Sequence, residues 1–160
     1  MNFANIKYCS TSNGNGIRTS VYVSGCSIHC KGCFNKQAWD FKFGKEFTDE
    51  IIDKVIESME PVYCSGLTIL GGEPLDPNNL LGVNKLIDKF RERFGYIGDK
   101  TIWVYTGYSF ENLKEEQLAV IKKCDVLVDG PFDLNKSIPN LAFRGSYNQR
   151  ILNIKEKLSV

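Results

Sequence analysis

Short apolar runs alternate with amphipathic stretches of helical period along this 160-residue chain, and that alternation leaves few folds open. Ile17 to Ser24 is β-branched and partly alternating, which predicts a strand. Thr48 predicts the cap of a helix, with Asp49 and Glu50 in its first turn and Ile51, Ile52, Val55, Ile56 and Met59 along one face. Gly66 to Leu70 predicts a short buried strand running into Gly71-Gly72. Asp76 and Pro77 are the N-cap and first-turn residues of a second helix, whose apolar face is Leu80, Val83, Leu86, Ile87, Phe90 and Phe94. A third strand is expected at Thr101 to Tyr105, and a third helix from a Ser109 cap to about Cys124. A short apolar fourth strand follows at Asp125 to Val128, and a last one at Arg150 to Ile154.

This order implies an α/β fold with a parallel sheet covered by helices. About five β/α units are too few to close an eight-fold barrel, so an open partial barrel is expected, as a single domain over residues 1–160. Chemistry in such folds gathers in the loops after the strands' C-terminal ends. The conspicuous motifs all fall there: Cys26 to Cys33 after the first strand, Gly71 to Pro74 after the second, Thr106-Gly107 after the third, Asp129-Gly130 after the fourth.

Six cysteines stand at positions 9, 26, 30, 33, 64 and 124, three of them within eight residues. The N-terminus lacks the apolar stretch of a signal peptide, and no run approaches a membrane span, so a cytoplasmic protein is expected, away from membranes. Crowded cysteines in a reducing compartment point to metal or redox chemistry rather than disulfides. Net charge is only +1, from 20 basic and 19 acidic residues, which gives no drive toward direct nucleic-acid binding.

The spacing Cys26-x3-Cys30-x2-Cys33 places three thiolates on one loop. They can take three corners of an iron–sulfur cubane and leave the fourth iron open, as catalytic metal sites leave a position for substrate. Two other uses stay open. One is a zinc site completed by His29 or a distant cysteine, although no second Cys-x2-Cys pair is present. The other is a thiol redox pair, Cys30 and Cys33, which leaves Cys26 unexplained. In Gly71-Gly72-Glu73-Pro74 the glycines let backbone approach a ligand, and the Glu73 carboxylate suits an ammonium group.

On these residues the chain resembles the radical S-adenosylmethionine (SAM) superfamily, whose signature is this three-cysteine spacing and whose Gly-Gly-Glu-Pro motif binds the SAM amino group. The resemblance implies a 4Fe-4S cluster on Cys26, Cys30 and Cys33, the catalytic trio. It implies SAM contacts from Gly72, Glu73 and Pro74. Many members carry an aromatic before the third cysteine to pack on adenine; here that residue is Gly32, and Phe34 follows instead. Tyr105 and Thr106 are candidates for ribose or adenine, and Asp129 for a place facing the site.

Asn13 to Arg18, Gly32 to Asn35, Trp103 to Tyr108, Val128 to Phe132 and Phe143 to Arg150 resemble, in the same order, the activating proteins of anaerobic (class III) ribonucleotide reductases. That resemblance implies reductive cleavage of SAM and a glycyl radical formed on the large catalytic subunit of the reductase. A low-potential donor such as flavodoxin would supply the electron. The alternatives are an activase for another glycyl-radical enzyme and a zinc- or cluster-stabilised binding module. Cys64 and Cys124 are expected to be small buried side chains. Cys9 belongs to no motif. His29 is expected to be structural or to lie beside the cluster, and Arg18 and Arg144 to pair with carboxylates, that of SAM included.

Overall fold

The structure, a computed structural model, describes residues 1–159; Val160, the last residue of the expected domain, lies outside the described residues. Seven strands form one sheet in the order β3-β1-β2-β4-β5-β6-β7: β1 (Asn2–Ser10), β2 (Ile17–Val23), β3 (Lys45–Glu46), β4 (Cys64–Gly71), β5 (Thr101–Tyr105), β6 (Val126–Asp129) and β7 (Arg150–Asn153). Only β2, β4, β5 and β6 run parallel. The expected parallel sheet of about five β/α units is found in part: four parallel strands and three crossover helices form the centre. Antiparallel β1, β3 and β7 extend it on both sides. Strand β1 escaped sequence reading because its side chains are half-buried or exposed on both faces, so no apolar alternation marks it; its pairing with β2 supplies the strand.

The crossover helices are α1 (Asp49–Ser58), α2 (Pro77–Phe94) and α3 (Glu115–Ile121), with a short α4 (Ile154–Leu158) at the end. Thr48 Oγ1 accepts from Ile51 N at 3.3 Å and Asp76 Oδ1 from Asn78 N at 3.0 Å, so both expected caps form. Ser109 does not cap a long third helix. It precedes a 3-10 turn, Phe110–Asn112, whose Phe110 amide donates to Asp129 instead. Extended Leu113 separates that turn from α3, where Gln117 Oε1 accepts the Lys114 amide.

One face of the sheet carries the core. Val21, Val23, Leu67, Ile69, Ile102, Val104 and Leu127 pack against Ile52, Val55, Leu86, Ile87, Phe90 and Ile121 of the helices. Cys64 and Cys124 are buried within this layer, as expected. By strand alternation the opposite face receives Arg18, Tyr22, Thr68, Leu70, Trp103 and Tyr105. Arg18 is fully buried there and meets no carboxylate among the described residues, contrary to the expected pairing. It donates to the carbonyls of Leu67 (2.8 Å) and Thr101 (2.7 Å), to Thr68 Oγ1 (2.9 Å), and to Asn15, Ser65 and Thr101 Oγ1. Burial lowers its pKa to about 10, so it stays charged at neutral pH. Its guanidinium also lies 5.7 Å from the Trp103 ring, and Trp103 meets Phe143 edge-on.

Candidate active site

Where β2 ends, Gly25 turns the chain with φ +100°, and a Cβ there would strike the Phe41 ring at 2.0 Å. The cysteine loop leaves from this turn. Its base is tied to the following segment by Gly25 N to Ala38 O (2.7 Å) and Cys26 N to Trp39 O (3.1 Å), and it curls on itself through Cys33 N to Cys30 O (3.1 Å). His29, at φ +53°, stacks parallel on Trp39 with ring centroids 4.3 Å apart. His29 thus packs its ring on the segment that follows the loop.

The second motif docks against the base of the first. Gly72 N donates to Val23 O and Glu73 N to Gly25 O, both at 2.8 Å. A Cβ on Gly72 would lie 2.5 Å from Gly25 O and 2.9 Å from Ala38 O, so only glycine allows this approach. Asn79, in the first turn of α2, donates its side-chain amide to the carbonyls of Ser24, Gly25 and Glu73. Sequence reading missed this staple, since an Asn just inside a helix start reads as an ordinary turn residue.

Cys26, Cys30, Cys33, Phe34, Gly72 and Glu73 line one cavity of about 360 Å³ at the C-terminal ends of the parallel strands. Glu73 is 1% exposed and accepts three hydrogen bonds: from Leu75 N (2.9 Å), Thr106 Oγ1 (2.7 Å) and Gly107 N (2.7 Å). Burial nevertheless pushes its carboxyl up to about 7, with the three donors opposing and Asp76 adding to the rise. Burial also raises the Cys26 and Cys30 thiols. Backbone hydrogen bonds oppose this, and the Glu73 carboxylate adds to it.

The other expected residues divide. Phe34 is 77% exposed at the cavity's rim and leans on Phe132, with centroids 5.2 Å apart. Gly32, Pro74, Thr106 and Asp129 do not line the cavity. Gly32 sits against Leu134. Thr106 reaches the cavity only through its bond to Glu73. Asp129 does not face the cavity as expected: Oδ1 accepts from Arg150 Nε (3.0 Å), and Oδ2 from Arg150 Nη2 (2.5 Å) and Phe110 N (2.7 Å).

The residues fit a multi-iron group. All six cysteines are free thiols. Among the described residues no three His, Cys, Asp or Glu side chains converge as single-ion ligands. Three free thiols lining one cavity are the donor set of a cluster in which each thiolate addresses its own iron. Trp39, Tyr105 and Arg144 line the same cavity, and Trp39 Nε1, Tyr105 Oη and Arg144 Nε are buried without partners among the described residues. An unpaired buried polar group costs about 1–3 kcal/mol, which suits a lining that a polar ligand completes.

Residues 12–152 match the family model described as a 4Fe-4S single cluster domain. Anaerobic ribonucleoside-triphosphate reductase-activating proteins are similar over nearly the whole chain. That of Enterobacteria phage T4 is 37% identical over 151 residues, 94% of this chain and 93% of its own. The Vibrio cholerae protein is 37% identical over 153 residues, 94% and 97% of the two chains. The Escherichia coli K12 protein is 36% identical over 145 residues, 89% and 92%. This chain belongs to the family of anaerobic ribonucleoside-triphosphate reductase-activating proteins. No helix among the described residues is long and apolar enough to cross a membrane.

Proposed function

We propose that this chain is a radical SAM activase that installs the glycyl radical on an anaerobic ribonucleotide reductase, with the cluster on Cys26, Cys30 and Cys33. The observation that carries this reading is the meeting of three free cysteines with the buried, thrice-bonded Glu73 in one cavity. Held by Cys26, Cys30 and Cys33, a reduced cluster would supply the electron for cleavage of the SAM carbon–sulfur bond to methionine and a 5′-deoxyadenosyl radical, which would take hydrogen from a glycine of the reductase.

The chain's own residues bind and orient. Cys26, Cys30 and Cys33 give up their protons as they take iron, since only thiolates are ligands. Glu73 accepts from the SAM ammonium, while Thr106 and the Gly107 amide hold its carboxylate in place. Gly72 brings backbone up to the amino-acid end of SAM, and Pro74 fixes the turn beyond Glu73. Phe34, at the rim, offers an apolar surface to the nucleoside. The four parallel strands form a partial barrel within a single domain, and the reductase covers the side that the short chain leaves open. A cytoplasmic low-potential donor of flavodoxin type delivers the electron.

The test is anaerobic reconstitution with iron and sulfide, reduction, and incubation with SAM and the cognate reductase. A glycyl radical detected by electron paramagnetic resonance, dependent on all three components, is the expected result. A colourless protein holding one zinc and giving no radical would overturn the reading.

A further inference from the structure

The segment Arg144 to Arg150 carries six polar side chains, and those of Ser146, Asn148, Gln149 and Arg150 make the bonds that fix it, although Asn148 Oδ1, away from the cavity, is buried without a partner among the described residues. Ser146 Oγ accepts from Asp133 N at 3.1 Å. Asn148 donates to Pro131 O at 2.8 Å. Gln149 accepts from Gly145 N (2.8 Å) and Ser146 N (3.2 Å) and donates to Gly130 O (3.0 Å). Arg150 pairs with Asp129 and Glu111. These bonds close the segment on itself, stitch it to the run after β6, or, through Arg150, tie it to the end of β6 and the turn after β5.

Arg144 differs. Its one bond among the described residues is from Nη1 to Gln149 O, at 3.3 Å, and its Nε is buried with no acceptor there. No carboxylate among the described residues pairs with it, yet Arg144 lines the same cavity as Glu73 and the three cysteines. A guanidinium with donors left over, in a cavity that a buried carboxylate also lines, matches a ligand that carries a carboxylate and an ammonium together. The head of an α-amino acid is such a ligand.

We infer that Arg144 recognises the α-carboxylate of SAM in this cavity, while Glu73 accepts from the ammonium of the same amino-acid head. This rests on the SAM-binding reading above. Arg144 thereby sets specificity for an intact amino-acid end on the sulfonium nucleoside, and the rest of its motif serves to hold it at the wall.

The test measures equilibrium binding of SAM and of its decarboxylated analogue to the anaerobically reconstituted protein, beside Arg144→Ala and Arg144→Lys, with iron content determined for each. SAM affinity of Arg144→Ala is expected to fall about ten- to a hundred-fold, the loss that follows removal of a charge-assisted hydrogen bond. The analogue's affinity should stay unchanged and iron content equal. Arg144→Lys keeps the charge without the planar fork and should fall in between. Unchanged SAM affinity in Arg144→Ala, or equal losses for SAM and analogue, would overturn the assignment. Should Arg144→Ala fail to hold iron, Arg144→Lys decides alone, and wild-type affinity for SAM in that variant sinks the proposal. A wild-type protein that holds iron but binds no SAM would instead refute the underlying function.

Discussion

Thr106 Oγ1 donates to Glu73 Oε2 at 2.7 Å, joining the end of β5 to the turn that follows β4. The same hydroxyl accepts from the Tyr108 amide at 3.2 Å, so the carboxylate and the loop after β5 share one anchor. Thr106→Val keeps the shape and removes both bonds. It leaves a buried carboxylate with two donors instead of three, which should cost about 1–3 kcal/mol of stability. Urea unfolding checks the stability, and a several-fold weakening of SAM binding should accompany it. Full wild-type stability in Thr106→Val would mean that this bond holds nothing.

Burial sets the pH response of Glu73. Its carboxyl is raised to about 7, whereas an unfolded chain titrates it near 4.3. Between those values the unfolded state releases a proton that the folded state keeps. The contribution to stability is therefore fully present below about pH 4 and is lost as pH rises to about 7, by roughly 3 kcal/mol. Glu73→Gln cannot titrate. Urea unfolding of the metal-free chain at pH 5 and pH 8 should show a larger loss for the wild type than for Glu73→Gln. Parallel behaviour of the two would contradict the desolvated site.

The central strands and the first two helices were legible because their burial is one-sided and periodic. Val83, Leu86, Ile87 and Phe90 announce α2 before any coordinates are known. The cysteine loop and Gly71 to Glu73 were legible because few chemistries need those residues at that spacing. What escaped notice depends on long-range pairing. Strand β1 has no apolar stripe of its own, and Asn79 gains its meaning only from three carbonyls, two of them more than fifty residues away in sequence. The partners of Asp129 and Thr106 were hidden in the same way. A polar residue at a strand end is easy to assign to the site, but only the fold shows that Arg150 holds one and Glu73 takes the other's hydroxyl.

The cysteines should separate into two groups by iron content. Cys26→Ala, Cys30→Ala and Cys33→Ala each remove a thiol from the cavity wall and should abolish stable iron retention after anaerobic reconstitution. Cys64 and Cys124 lie in the core, away from that wall, and burial raises the Cys124 thiol well above its usual range. Their alanine variants should retain wild-type iron and lose about 1 kcal/mol of stability through packing. Iron loss in Cys64→Ala or Cys124→Ala would show that the ligand set is misassigned.

Asp129 and Arg150 offer an asymmetric pair. The carboxylate side chain is 1% exposed, whereas the guanidinium is 42% exposed and also holds Glu111. Removing Arg150 strands a buried charge with only the Phe110 amide for company, while removing the Asp129 charge leaves a cation that water and Glu111 still serve. Arg150→Ala should therefore cost about 2–4 kcal/mol and Asp129→Asn about 1 kcal/mol, with the double variant well short of the sum. Denaturant unfolding of the three variants measures this. Because Asp129 does not line the cavity, Asp129→Asn should bind SAM as the wild type does. A large loss of SAM affinity in that variant, at unchanged stability, would return Asp129 to the ligand's surroundings and require the β6 end to be redrawn.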